Sequence, residues 1–290
     1  MSNKQSTKVL IPHPTEPNCS LVGVLEQLSP VMTRGKKLAL ILHGSMGHKD
    51  YLFQKRLALQ LPLDSFRFDF RKLSGNHETP GTWRQGALEE DLIDLLAVVE
   101  YLKTNFGYAI DLVVGHSRGS VVAMRWICTS EDGRNISAFV NASGRYRMDK
   151  ILQTPAGKLW QESFDKVGYH STTVSVARKP TTFKIYPEDL ERFTKWDTSI
   201  VWDHFSPTVD VLTLHGLSDE VVSPYDAVIY ARALGIRMPG THTLNLMEGA
   251  DHNFTGRQDE VVDCILKWWK SCQCREIKTG VWLAETRGKL

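Results

Sequence analysis

Gly115-His116-Ser117-Arg118-Gly119 is the stretch on which the reading of this chain turns. The apolar run Asp111-Leu112-Val113-Val114 leads into it, and a helical stretch, Ser120 to Cys128, follows. A buried strand, a sharp turn carrying a serine and then a helix is the setting in which a serine hydroxyl is lifted out as a nucleophile. The flanking glycines allow a strained turn and a helix packed close to the strand. The pentapeptide alone is weak evidence, because chance supplies it in roughly one protein in ten of this size. It gains meaning only if the chain also supplies a base, an acid and two oxyanion donors in a workable order.

Working outward, apolar runs alternate with helical patterns. Ser20 to Glu26 reads as a strand of an opening hairpin, and the residues before it read as frayed. Lys37 to His43 is continuously apolar up to its histidine, as expected of a strand buried on both faces. A loop, Gly44 to Asp50, and a helical stretch near Tyr51 to Gln60 follow. Phe66 to Phe70 alternates like a strand, and the stretch Ser74 to Gly81 carries Gly and Pro turn signals. From Gln85 to Thr104, Leu88, Leu92, Leu95, Leu96, Val99 and Leu102 recur at helical spacing. Beyond the Ser117 turn come a strand at Ile136 to Asn141, one at Val209 to Leu214, a helix near Pro224 to Leu234, a strand at Thr241 to Leu246 and a last helix near Asp259 to Lys270. This alternation predicts an α/β protein with a mostly parallel sheet.

The rhythm breaks between Ser143 and Phe205, where no buried strand stands out and aromatics such as Trp160, Phe164, Phe183, Phe193 and Trp202 accumulate. That segment, 143–205, reads as a cap inserted into a core made of 1–142 and 206–274. Its first half is basic, with Arg145, Arg147, Lys150, Lys158, Lys166, Arg178, Lys179 and Lys184. A solvated surface is the simpler explanation of those charges, and attraction of an acidic acyl or alcohol group is the sharper one. Residues 275–290 form a polar tail with a Val281-Trp282-Leu283 patch of no assigned role.

Composition bounds the rest. The chain has 290 residues, 42% hydrophobic and 23% charged, with a formal net charge of +2, so nothing in bulk points to nucleic acid. No apolar run approaches the roughly 20 residues of a membrane span, and the N-terminus lacks the apolar core of a secretory signal. Five cysteines without a framework spacing suggest free thiols in a reducing compartment. The expectation is a cytoplasmic protein without membrane insertion, acting on a small molecule. Its oligomeric state is left open.

A serine hydroxyl needs a base beside it, normally a histidine oriented by a carboxylate. In an open parallel sheet such groups gather at the carboxyl ends of strands. Asp219 lies in the loop after Val209 to Leu214, and His252 lies in the loop after Thr241 to Leu246. The candidate set is therefore Ser117, Asp219 and His252. Asp210 and Glu220 are the rivals for the acid, and Asp251 reads as a surface or capping group. The first oxyanion donor is the N–H of Arg118, the residue after the serine. The second is the N–H of Ser45 in the loop His43-Gly44-Ser45-Met46-Gly47, with Met46 as the fallback. His43 and His116 read as structural supports, His215 as a strand-end residue and His242 as a side chain facing sheet or helix. His13, His48, His77, His170 and His204 show no metal spacing, so no metal and no cofactor are expected.

With these residues in order from Lys37 to Lys270, the chain resembles the α/β-hydrolase superfamily. The His43-Gly-x-x-Gly47 loop, the Phe68-Asp69-Phe70-Arg71 strand end and the Leu214-His-Gly-x-x-Asp219 loop look most like its esterase and lipase branch. That branch holds feruloyl esterases, monoglyceride lipases and proline-iminopeptidase-like enzymes. The resemblance implies acyl transfer to water through an acyl-serine, without a cofactor, and most simply a carboxylesterase of small or medium acyl esters. Thioesterase, lipase and aminopeptidase chemistry on the same residues stay open, as does a non-catalytic binding protein on the same scaffold. Where many relatives continue the strand end as Arg-Gly-His-Gly-x-Ser, this chain reads Arg71-Lys-Leu-Ser-Gly-Asn-His77.

Overall fold

The computed structural model describes residues 4–29, 31–71, 77–176 and 178–282. An opening hairpin, β1 (Gln5–Pro12) and β2 (Ser20–Gln27), leads to β3 (Lys37–Leu42), α1 (Gln54–Gln60) and β4 (Asp64–Phe68). Then come α2 (Leu88–Phe106), β5 (Ala109–His116), α3 (Arg118–Thr129), the single turn α4 (Glu131–Arg134) and β6 (Ala138–Ala142). The chain leaves the sheet there. It forms a 3₁₀ turn (Met148–Gln153), α5 (Pro155–Val167), a hairpin of β7 (His170–Val176) and β8 (Lys179–Ile185), α6 (Pro187–Thr194) and a second 3₁₀ turn (Ser199–Val201). It returns as β9 (Asp210–Gly216), α7 (Tyr225–Leu234), β10 (His242–Met247), α8 (Gln258–Gln273) and β11 (Gly280–Trp282).

Nine strands form one sheet in the order β1-β2-β4-β3-β5-β6-β9-β10-β11. The pairs β1/β2 and β2/β4 are antiparallel, and every pair from β4 to β11 is parallel. Alternate residues of the central strands feed opposite cores. Leu38, Leu40 and Leu42 of β3 join one apolar cluster with Leu95 of α2, Val122 of α3 and Ala233 of α7. Ala39 and Ile41 join the other with Leu57 of α1 and Trp268 of α8. Burial on both faces is the reason these strands read as continuous apolar runs. From β3 the chain steps outward to β4, then crosses back to β5 on the other side of β3. Such a reversal opens a crevice at the carboxyl ends of the two strands, the usual ligand position in this architecture.

Local signals set the helix ends. α2 carries Glu89, Glu90 and Asp91 in its first turn and Lys103 in its last, matching the helix dipole, and it stops at Gly107, in the left-handed conformation at φ 71°. α5 starts where the Thr154 hydroxyl accepts from Gly157 N–H, with Pro155 in its first turn.

Three expectations change. Residues 5–12 are not frayed: β1 pairs with β2 along all eight positions, although only Val9 and Ile11 contribute apolar side chains to the core. Ladder hydrogen bonds, which leave little trace in hydropathy, hold this edge. The segment after β6 contains a two-stranded sheet that its Thr-rich, largely exposed strands concealed. Its buried Val176, Phe183 and Ile185 pack with Trp83. Within the tail, β11 adds an edge strand parallel to β10, with Thr243 opposite Gly280. Leu283 of the apolar patch lies outside the described residues, as do residues 74–76 of the expected Gly/Pro loop and 72–76 of the altered strand end. Among the described residues no helix is long and apolar enough to cross a membrane.

Candidate active site

Ser117 sits between the last residue of β5 and the first of α3, with φ 52° and ψ −121°. A non-glycine residue held there costs of order 1–3 kcal/mol and persists only when its surroundings fix it. They do so here. The Ser117 N–H donates to Ala142 O of β6 at 2.7 Å, and Ser120 N–H donates to Ser117 O at 3.0 Å. A methyl group on Gly119 would lie 2.5 Å from His43 O and 2.9 Å from Leu42 O, so α3 must press on the end of β3 without a side chain. From the other side, a methyl on Gly44 would lie 3.0 Å from Ser117 Cβ. These two close approaches hold the His43–Gly47 loop against the serine turn.

Arg118 is locked beside it. Its Nε and Nη2 donate to Asp91 Oδ2 at 2.8 and 2.6 Å, and its Nη1 donates to Arg84 O at 3.2 Å. As the first residue of α3, Arg118 has an N–H that no carbonyl within the helix can take. In the facing loop, His43 Nδ1 donates to Gly44 O at 2.8 Å and Nε2 accepts from Phe70 N–H at 3.2 Å. That pattern fixes a neutral tautomer, and burial lowers the His43 pKa to about 4.

The loop after β10 brings His252 to the serine. His252 Nε2 lies 2.9 Å from Ser117 Oγ, and His252 Nδ1 lies 2.8 Å from Asp219 Oδ2. His116 Nε2 donates to the His252 backbone carbonyl at 3.0 Å, which ties this loop to the end of β5. Burial, helped by the nearby His252, lowers the His116 pKa to about 3, so this ring stays neutral. Both histidines expected to be supports, His43 and His116, therefore brace the two loops that meet at Ser117.

Asp219 collects four donors. His252 Nδ1 donates to Oδ2, which His215 Nε2 also approaches at 3.1 Å while sharing its N–H with Val222 O at 2.9 Å, and Val221 and Val222 N–H donate to Oδ1 at 2.9 and 2.8 Å. Burial by itself would raise this carboxyl. The hydrogen bonds from His215, His252 and Val222 overcome it and hold the group well below the usual carboxylate range. His215 is the residue that sequence reasoning undervalued: it was expected only as a strand end. Its place four positions before Asp219, across a glycine turn, was the available signal. The rivals lie elsewhere. Asp210, at the amino end of β9, binds Thr241 N–H and Oγ1 at 2.8 and 2.7 Å, and Glu220 is exposed. Asp251 caps its loop through Asn253 and Thr255 N–H. His242 is buried in β10, with Nε2 2.9 Å from Thr213 Oγ1.

A cavity of about 360 Å³ opens over these groups. Ser45, Met46, Ser117, Arg118 and His252 line its floor, and Met148, Ile151, Trp160, Val174 and Phe193 of the inserted segment wall it. Asp219 stands behind His252, outside the cavity. All the sequence-derived candidates thus meet at one place. One cluster was not anticipated: Asp69, His77 and Glu78 present ligand atoms within 4.8 Å of one another. The Lys49 ammonium already occupies it, 3.0 Å from Asp69 Oδ2 and in contact with Glu78.

The chain matches the model of the alpha/beta hydrolase family over residues 39–264. It is similar to the uncharacterized protein YDL057W of Saccharomyces cerevisiae, 26% identical over 273 residues that span 85% of this chain and 77% of that one. Among solved structures it resembles Est1E from Butyrivibrio proteoclasticus with ferulic acid bound, at a TM-score of 0.66 and 17% identity, covering 92% of this chain and 99% of that one. It also resembles the Pyrococcus furiosus esterase Pf2001, at a TM-score of 0.64 and 19% identity, covering 92% and 91%. At such identities these structures speak for the fold.

Proposed function

The chain belongs to the alpha/beta hydrolase family, and from that premise we propose that it is a serine hydrolase, a carboxylesterase of small or medium acyl esters. One observation carries the reading: the unbroken chain Ser117 Oγ–His252 Nε2, His252 Nδ1–Asp219 Oδ2, at 2.9 and 2.8 Å. Ser117 Oγ attacks the acyl carbon while its proton passes to His252 Nε2. Asp219 holds the imidazole and stabilises the imidazolium that forms. The Ser45 and Arg118 N–H groups receive the oxyanion, each such donor being worth about 3–4 kcal/mol of barrier. The tetrahedral species collapses, the ester C–O bond breaks, and the leaving alkoxide takes the proton from His252. Water then adds to the acyl-serine, giving its proton to His252, which returns it to Ser117 as the acid departs. The scheme needs no cofactor and no metal.

A cavity of about 360 Å³ suits a small or medium substrate, near the lower end of ligand pockets. Segment 143–205 acts in this scheme as the cap that shapes the pocket. Among the described residues, which include all five cysteines, no disulfide forms, in keeping with a cytoplasmic setting.

The test is Ser117→Ala with p-nitrophenyl butyrate and a fluorophosphonate probe. The variant should lose at least about 10⁴-fold in kcat and all labelling while keeping its circular dichroism. Turnover that persists in it would place the nucleophile elsewhere. A wild-type protein that neither labels nor turns over esters, thioesters or aminoacyl amides would be a binding protein on this scaffold.

A further inference from the structure

The basic residues of the inserted segment do not behave alike. Arg147 is spent on Asp226, with Nε 2.5 Å from Oδ1. Lys150 is 39% exposed at its side chain and lies only loosely near Asp149, at 3.8 Å. Arg145, three residues beyond β6, is different: it is 7% exposed and lines the cavity above Ser117. Among the described residues no carboxylate lies within 4 Å of its guanidinium. Its Nη2 donates to Val221 O at 2.5 Å, while among the described residues its Nε and Nη1 make no hydrogen bond, and neither atom is fully buried. The nearest acids are committed. Asp226 is taken by Arg147 and by the N–H groups of Tyr146 and Arg147, and Asp219 by its four donors.

A guanidinium taken out of water without a paired anion is costly, and a fold retains one where an anion arrives to pair with it. The other arginine on the cavity, Arg118, shows the contrast, because its Nε and Nη2 are paired with the Asp91 carboxyl. The remaining walls are mostly apolar, with Trp83, Met148, Ile151, Trp160, Val174 and Phe193. A neutral ester of two apolar halves would leave the Arg145 fork facing them unpaired. Arg145 also lines the adjoining surface groove, where Arg147 and Lys150 stand among Asp219, Glu220 and Asp226, so it is reachable from solvent.

We propose that the ester taken by this cavity bears a carboxylate, and that Arg145 is the specificity residue that binds it. The inference rests on the serine-hydrolase reading above. One hydrogen of Nη2 stays on the Val221 carbonyl, and the carboxylate would accept from the other together with Nη1 or Nε. It sits on the acyl part or on the alcohol part of the ester, and the assay separates the two.

Two matched pairs of substrates test this. p-Nitrophenyl hemiglutarate against p-nitrophenyl valerate places the charge on the acyl side. 4-Acetoxybenzoate against its methyl ester places it on the leaving side. The wild type should favour the charged member of one pair in kcat/KM. Arg145→Met should reduce that preference 10- to 100-fold, the scale of a hydrogen bond to a charged group. Arg145→Lys keeps the charge but not the fork and should retain part of the preference; it also decides the matter if Arg145→Met fails to fold. The pair that responds identifies the side. An equal fall on both members of a pair would make Arg145 only a support for the Asp219 loop, and no wild-type preference in either pair would overturn the proposal. In both cases Ser117 would still label with fluorophosphonate. Absence of labelling and of all turnover would instead bring down the hydrolase reading, and this proposal with it.

Discussion

Asp219→Asn is the perturbation whose consequences the geometry specifies most closely. The carboxylate accepts from His252 Nδ1 and His215 Nε2 on Oδ2, and from Val221 and Val222 N–H on Oδ1. Asparagine offers one oxygen and one NH₂. If the oxygen stays on the two backbone donors, the NH₂ confronts two imidazole N–H groups. His252 then turns to the tautomer that accepts at Nδ1 and carries its proton at Nε2, facing Ser117 with a donor instead of a base. The expected loss is about 10⁴-fold in kcat with little change in KM, equivalent to about 5.5 kcal/mol of barrier. Stability should fall too, by about 3 kcal/mol, since each charge-assisted bond lost from a buried group is worth about 1.5–3 kcal/mol. The sign with pH follows from the depressed Asp219 pKa. A carboxylate held below its ordinary range stabilises the fold above that range, and the contribution is lost as pH falls through the folded-state value. The stability gap between wild type and variant should therefore be full at pH 7 and shrink below about pH 4. Steady-state kinetics on p-nitrophenyl butyrate and urea unfolding at several pH values measure both. A variant within tenfold of wild-type kcat, or a gap that widens in acid, would refute the assignment of Asp219.

Gly119→Ala puts a methyl 2.5 Å from His43 O, a backbone atom that cannot rotate away, so it should cost about 1–3 kcal/mol and part the Arg118 and Ser45 amides. A drop in kcat of at least tenfold at nearly constant KM is expected, and unchanged unfolding and kinetics would show that the contact relaxes freely. His242, away from the site, has its pKa lowered to about 3 by burial and by Arg237. It stays neutral in the fold, while the unfolded chain takes up its proton below about pH 6.5. His242→Asn should therefore reduce the loss of stability between pH 7 and pH 5 by about 2 kcal/mol, and urea melts with the same pH dependence as wild type would contradict the burial argument.

Much of the site was legible because catalysis in a parallel sheet is tied to strand ends, and strand ends are visible as the point where an apolar run gives way to Gly, Ser, Asp or His. Ser117, Asp219, His252, Ser45 and Arg118 all follow such runs. What escaped did so for physical reasons. Strand β1 is held by its ladder rather than by burial, and the β7–β8 hairpin is Thr-rich and half exposed, so neither has the hydropathy of a core strand. His215 looked like a strand end because its contact with Asp219 depends on the turn between them. Arg145 was one of ten Lys and Arg residues in its segment, and composition does not reveal which arginine is buried without an acid.

The linear order Gly115 to Gly119, Asp219 and His252 thus determined by itself the fold class and the residues to be assembled, since strand period and turn chemistry are local properties. Only the tertiary structure decided which acid meets the histidine, which histidines brace the loops and where an unpaired guanidinium faces the cavity. Those are contacts across 27 to 136 positions of chain, from Arg118–Asp91 to His116–His252, set by packing of helices against a twisted sheet rather than by any neighbour in sequence.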